Sequence, residues 1–583
     1  MNSLDKIKLI NHILRWRLAW SKHDLDYKPE KIHSSSFLSA REAARLIKDG
    51  DCVFSSGIAG NARCSIFYYA LRDRFLKTKH PQGLTWINGG AQGSRGRVPG
   101  TIEEIGLPGL MDLYLTAHLE TCKAQLKLGQ EGKLELHTLP QGIISRLLEN
   151  QAKGREGLWS SIGVGSFLDP SRGRGSIVNP PGKRSFVSGG KDRLKYNMPT
   201  PNVALFSVPY ADEEGNLYFK NTATITENIQ SIKAVRKNKG LVMAAVSGII
   251  LKSEDEISVP ARYVDHIVVN PWNEQTISVP QGRFWDMFTP DFKGDARKAM
   301  EKLKFINNFL KITPVRDSVG RMMARLGASV VVKNAEAGSM INIGTGYPEE
   351  VARVLLENKL EEEFIFTTEA GSYGGLPAPG IFFGAAIKPR HLEPSSTMFR
   401  RYQKELDVAV LGFLEVDEQG NVNVSKRGAN ITDYVGPGGF LDLVDSARTI
   451  LFIGNWMHAA RYLQETDQIR LMKAGQPKFL KRVREITFNG RIGAMKGQRV
   501  FYVTEVGLFR LRPEGIELQA IFPGIDIESD ILSHTDAKLL IPPYREIEVI
   551  GRDILSGERF SLKLPKKEEL QGTTSSVLPP GRG

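Results

Sequence analysis

Cysteine is scarce in this chain, with three residues in 583, Cys52, Cys64 and Cys122. So few thiols, without paired spacing, exclude a disulfide-stapled scaffold and the common zinc frames, and they fit a reducing compartment; a cytoplasmic protein with no metal site is expected. Long apolar runs are also missing. The longest, 241–251, is too short to cross a bilayer, and the N-terminus has no apolar core of secretory type. Acidic residues are outnumbered, 65 against 78 Lys and Arg, for a formal charge of +13. These cations are spread along the chain except in 172–195, which holds Arg174, Lys183, Arg184, Lys191 and Arg193 among Gly, Pro and Ser. That patch reads as a solvated loop. Without finger spacing or aromatic residues interleaved with cations, nucleic acid is not an expected partner.

What is present is core material: 41% of residues are apolar, and the length calls for more than one domain. Residues 1–37 read as an extension. In it Ile7, Ile10 and Leu14 share one helical face, and Leu9, Ile13, Trp16 and Trp20 share another, so it packs on a partner, on its own body or at an interface. From 38 the chain alternates helix and strand. Ser39 can cap a helix, Asp49-Gly50 turns into a strand at 51–55, and a second strand at 84–87 opens into Asn88-Gly89-Gly90-Ala91-Gln92-Gly93.

The same style recurs later in the chain. Residues 338–346 repeat the turn, strand and glycine loop of 50–60, and 203–217 is echoed by 408–422 with the spacing from Ala204 to Gly215 equal to that from Ala409 to Gly420. Two α/β halves related by duplication are expected, at 38–273 and 317–559. Residues 274–316 read as a linker, and 560–583, rich in Lys, Glu, Ser, Pro and Gly, as a disordered tail.

One stretch is hard to explain by folding alone. The apolar run 364–366 ends at Thr367-Thr368-Glu369, and the loop after it, Ala370-Gly371-Ser372-Tyr373-Gly374-Gly375-Leu376-Pro377-Ala378-Pro379-Gly380, can turn sharply and admit a ligand to its backbone. In an open α/β sheet this places Glu369 beyond the carboxyl end of a strand, where ligands bind. The duplication pairs this strand with 84–87, so the Gln92 loop becomes the counterpart of the Glu369 loop. Gly344-Thr345-Gly346 opens a helix with Pro348 in its first turn; Glu349 stands where a dinucleotide fingerprint needs its third glycine.

Glu369-Ala370-Gly371 with Gly374-Gly375, Pro377-Ala378 and Gly380 resembles the catalytic loop of the class I coenzyme A transferases, of the acyl-CoA:acetate/3-ketoacid (propionate) type. Leu139-Pro140-Gln141-Gly142, 163–170, 420–425 and Gly438-Gly439-Phe440 match in the expected order. The resemblance implies two open α/β domains of the NagB/RpiA-like type with the site between them. It also implies CoA transfer from an acyl-CoA to a short-chain acid or ketoacid by a ping-pong route. Coenzyme A would then be substrate and covalent intermediate rather than a resident cofactor, and the chain a homo-oligomer. On this resemblance Glu369 is the nucleophile that becomes a glutamyl-CoA thioester, Gln92 and the Gly439 N–H receive the oxyanion, and Gly344, Thr345, Gly346, Gly371, Gly436 and Gly438 bound the CoA and substrate.

The chain departs from the family at 395–407, where Arg400 and Arg401 replace a glycine-rich stretch and point to a changed acyl pocket. As a pair they read as solvated, or as holding a second substrate carboxylate. Gly454-Asn455-Trp456-Met457-His458 is also unusual for the family, with His458 read as a packed residue. An acyl-CoA-binding protein without turnover, or a thioester hydrolase on the same fold, are the alternative functions.

Overall fold

The computed structural model describes residues 2–30, 32–94, 98–179, 184–272, 285–311 and 314–564. The first half is built on β1 (Phe37–Leu38), β2 (Cys52–Ser55), β3 (Leu84–Asn88), β4 (Met111–Thr116), β5 (Glu135–Thr138), β6 (Val203–Ala211), β7 (Leu241–Ile249) and β8 (His266–Val269). They lie in the order β1-β8-β7-β6-β2-β3-β4-β5, each neighbouring pair parallel. The second half repeats the central part with β9 (Met340–Ile343), β10 (Ile365–Thr367), β11 (Leu406–Leu411), β12 (Thr449–Ile453) and β13 (Arg499–Val503). Their order, β10-β9-β11-β12-β13, is also parallel throughout. It reproduces β3-β2-β6-β7-β8, so β10, which leads to Glu369, holds the place of β3, which leads to Gln92. Two antiparallel strands, β14 (Gly507–Arg512) and β15 (Gly515–Ile521), then extend the second sheet.

Composition explains the layering. A parallel strand covered by helices on both faces reads as a continuous apolar run, and every residue of β12 is buried. Caps punctuate the helices: Ser39 and Glu42 form a reciprocal capping box, and Asp317 accepts the Gly320 N–H to open the helix Ser318–Asn334. Among the described residues no helix is long and apolar enough to cross a membrane.

The N-terminal helix Ser3–Leu18 packs on its own chain, one of the placements expected for it, burying Leu9, Ile13 and Trp16 while Ile7 and Leu14 stay exposed. Two segments depart from the expectations above. The linker is partly core. Trp285, Met287 and Phe288 are buried, and the helix Ala296–Leu310 buries Met300, Leu303 and Ile306 in the hydrophobic cluster of the second half; residues 273–284 and 312–313 lie outside the described residues. The tail begins later than expected, because Phe560, Leu562 and Leu564 pack against that same cluster. Residues 565–583 lie outside the described residues.

Trp456 also belongs to this core. It is fully buried and stacks on Phe509 at 5.2 Å with 5° between the planes, with Phe479 4.4 Å away. Trp456→Ala should cost about 3–5 kcal/mol, read as a lowered unfolding midpoint; a midpoint equal to wild type would show that this aromatic stack does not hold the second half together.

Candidate active site

Glu369 stands two residues past β10 and is only 7% exposed. Burial pushes its carboxyl above the ordinary range, and its own backbone N–H, hydrogen-bonded to it, pulls part of the way back. The side chain borders a cavity of about 390 Å³ between the halves. Ala91, Gly93 and Gln141 of the first half line it, together with Gly344, Thr345, Gly436, Gly438 and Gly439 of the second.

Gly439 approaches Glu369 closely. A methyl group built on Gly439 would lie 2.9 Å from Glu369 Cγ and 3.3 Å from Oε1, so the carboxylate rests against a backbone that only glycine keeps thin. The neighbouring Gly436 and Gly438 have φ of +85° and +55°, a left-handed conformation that favours glycine. At Gly436 a side chain would also strike the Ala117 carbonyl at 2.8 Å.

Backbone bonds across the two halves fix this loop. The Gly438 N–H donates to the Ala117 carbonyl at 2.8 Å, the Gln141 N–H to the Gly438 carbonyl at 3.0 Å, and the Leu119 N–H to the Val435 carbonyl at 2.8 Å. Asp442, buried and pushed up to about 8 by desolvation, accepts the Gly142 N–H at 3.1 Å. On the other side of Glu369, the Thr226 N–H donates to the Ala370 carbonyl at 3.3 Å and the Asn61 side-chain amide to the Phe383 carbonyl at 2.5 Å. The arrangement presents a buried carboxylate resting against the backbone of Gly439, on a cleft lined by both halves.

No protein-family model matches the chain. A caffeate CoA-transferase of Acetobacterium woodii is 32% identical over 519 residues, covering 86% of this chain and 94% of that protein. The chain belongs to the class I CoA-transferases. The acetate CoA-transferase YdiF of Escherichia coli K12 is 28% identical over 92% of the chain and 99% of its own length. Among solved structures, the acyl-CoA transferase YdiF of Escherichia coli O157:H7 as apoenzyme superimposes with a TM-score of 0.78 at 26% identity, over 91% of this chain and 98% of that one. The same enzyme in a thioester complex with CoA matches with TM-score 0.78 at 26% identity, over 89% and 96%.

Within this CoA-transferase, six of the nine residues singled out in the sequence line one cavity: Glu369, Gly344, Thr345, Gly436, Gly438 and Gly439. Gln92, Gly346 and Gly371 stand behind it. Gln92 is fully buried; its Oε1 accepts from Ser55 and Tyr68, and its Nε2 donates to the carbonyls of Ser55 and Gly57 at 2.9 and 3.3 Å. With both donors engaged, its carboxamide braces the loop, and Ala91 and Gly93 beside it face the cleft. Gly346 opens the helix Tyr347–Glu357 with a φ of +88°. Gly371, with φ of +103°, lets the Glu393 carbonyl pass where a Cβ would be 1.7 Å away.

The divergent segment 395–407 does not supply arginines to the pocket. Ser395–Glu405 is a helix in which Arg400 pairs with Glu149, and Arg401 with Glu393 and Glu405. Its buried Phe399 comes within 3.4 Å of a Cβ position on Gly439, so the helix backs the glycine loop 436–439. His458 is exposed rather than packed. In the basic stretch, Arg174 is tied down: it pairs with Glu485 at 3.0 Å and lies over the rings of Phe167 and Tyr434; residues 180–183 lie outside the described residues. Arg63, Trp16 and Trp20 are among the lining residues that sequence reasoning missed. Arg63, 2% exposed and lowered to about 10 by desolvation, donates to the Ala59 and Gln92 carbonyls. Trp16 and Trp20 of the extension also border the cavity; their placement on one helical face with Leu9 and Ile13 was the available signal.

Two outcomes are expected. Gly439→Ala, whose methyl would lie 2.9 Å from Glu369 Cγ, should displace the carboxylate and cost about 100-fold in rate; unchanged turnover would show that this contact does not position Glu369. Glu369→Gln should raise thermal stability at neutral pH and above. Because burial raises the carboxyl pKa in the folded state, the carboxyl's contribution is greatest below its ordinary value of 4.5 and is lost as pH rises from there through the folded pKa. Melting curves across pH should show the gain shrinking toward zero as pH falls toward 4.5; a pH-independent gain would contradict the assignment.

Proposed function

We propose that this CoA-transferase works by a ping-pong route through a thioester between CoA and Glu369. The carboxylate attacks the thioester carbonyl of an acyl-CoA, the C–S bond breaks, and an acyl-glutamyl anhydride and CoA thiolate result. The thiolate attacks the glutamyl carbonyl, the anhydride C–O bond breaks, and the first acid leaves as carboxylate. A second carboxylate then attacks the glutamyl thioester to give a new anhydride and the thiolate. Attack of the thiolate on the acyl carbonyl of that anhydride yields the new acyl-CoA and restores Glu369. No net proton is consumed, so no general acid or base is required.

The observation that carries this reading is Glu369 itself: a buried carboxylate held only by its own amide, at a strand end, against the backbone of Gly439. Poor solvation strengthens it as a nucleophile, and the Gly439 N–H is the donor we assign to each tetrahedral oxyanion. The thioester complex of YdiF with CoA supports a covalent CoA stage. Relatives named for caffeate and for acetate differ in the acid they take, so the acyl group is not inherited from the family. The three cysteines are free, in keeping with a cytoplasmic setting.

Incubation with an acyl-CoA should add the mass of CoA less water to the protein at Glu369, and Glu369→Ala should abolish both the adduct and exchange into a second acid. Exchange that persists in Glu369→Ala would sink the mechanism. Free CoA released without an acceptor acid, at the rate of acyl-CoA loss, would mark a hydrolase instead.

A further inference from the structure

The N-terminal helix forms part of the wall of the site. Trp16 and Trp20, 1% and 8% exposed, both line the cavity that holds Glu369. Their rings meet edge to face at 5.9 Å and 85°. The Arg17 guanidinium lies 4.3 Å from the Trp20 ring centroid, and Trp16 stacks on His12, which meets Trp285 at 5.6 Å. Trp285 in turn contacts Phe382 at 5.7 Å, beside the cavity-lining Ile381 and Phe383. The pair is thus locked to the loop that continues from the catalytic glutamate.

Both indoles retain buried N–H groups with no hydrogen-bond partner. Rings held rigid by their neighbours recognise flat apolar groups by stacking or edge-to-face contact. Val98 and Ile58, also on the cavity, continue the apolar surface from the first half.

Resting on the Glu369 transfer reading above, we propose that the N-terminal helix is the specificity wall of the acyl pocket, with Trp16 and Trp20 selecting an aromatic carboxylic acid over acetate. The two tryptophans are positioning and selecting groups; they take no part in bond making.

The test compares kcat/KM for cinnamoyl-CoA and acetyl-CoA as donors in the full-length protein, with propionate as acceptor, alongside CoA adduct formation at Glu369. Wild type should favour cinnamoyl-CoA by about 10-fold or more, within the range that apolar pockets discriminate. Trp16→Ala and Trp20→Ala should each reduce that ratio about 10-fold. Trp16→Leu and Trp20→Leu, which keep more of the side-chain volume, should reduce it in the same direction and serve where an alanine variant fails to fold. A wild-type preference for acetyl-CoA, or a ratio that stays constant while both donors slow alike, overturns the proposal. The constant ratio would place the tryptophans against the CoA arm common to both donors, or give them a purely structural role. Failure of every acyl-CoA to label Glu369 would instead overturn the transfer reading itself.

Discussion

A carboxylate taken out of water without a countercharge is expensive, and the architecture around Glu369 is organised to bear that cost. The strand β10 sets it at the carboxyl edge of a parallel sheet, where loops of two halves can close over it. Among the described residues, its own amide is the hydrogen-bond donor that lowers its pKa. In the mechanism proposed above, catalysis by such a group works through what is withheld in the ground state and supplied at the transition state, when backbone donors meet an oxygen that has just become charged.

That demand explains why so many bonds in this region run between halves rather than within them. Ala117 with Gly438, Gln141 with Gly438, and Leu119 with Val435 are backbone pairs, insensitive to side-chain identity and shorter in reach than ion pairs. They hold the glycine loop to the first half, while Thr226 and Asn61 hold the loop after Glu369. Buried acids contribute to the same frame. Asp442 grips Gly142, and Glu227, pushed up to about 7 by desolvation, accepts from Ser145 Oγ at 2.8 Å.

Local pattern made part of this visible in advance. A strand that ends in a carboxylate before a glycine-rich loop is a short-range signal for Glu369, and the family resemblance added Gly344, Thr345, Gly436, Gly438 and Gly439; the cavity gathers all six. The α/β alternation and the equal spacing of 204–215 and 409–420 likewise depend on neighbours in sequence. Other residues were set by neighbours in space. Gln92 faces inward because Ser55 and Tyr68 await it, Arg400 is drawn off by Glu149, and Trp16 reaches the cleft only because Trp285 and Phe382 build a seat for its helix. None of these partners lies near enough in sequence to betray the outcome.

The seat of the N-terminal helix has a consequence for the life of the polypeptide. Leu9, Ile13, Trp16 and Trp20 share their hydrophobic cluster with β9, β11 and β12 of the second half, which leave the ribosome roughly 320–440 residues later. At about 5–20 residues per second, this helix waits on the order of 15–90 s before the surface that covers it exists. During synthesis its apolar face therefore stays open to chaperones until the second half has emerged.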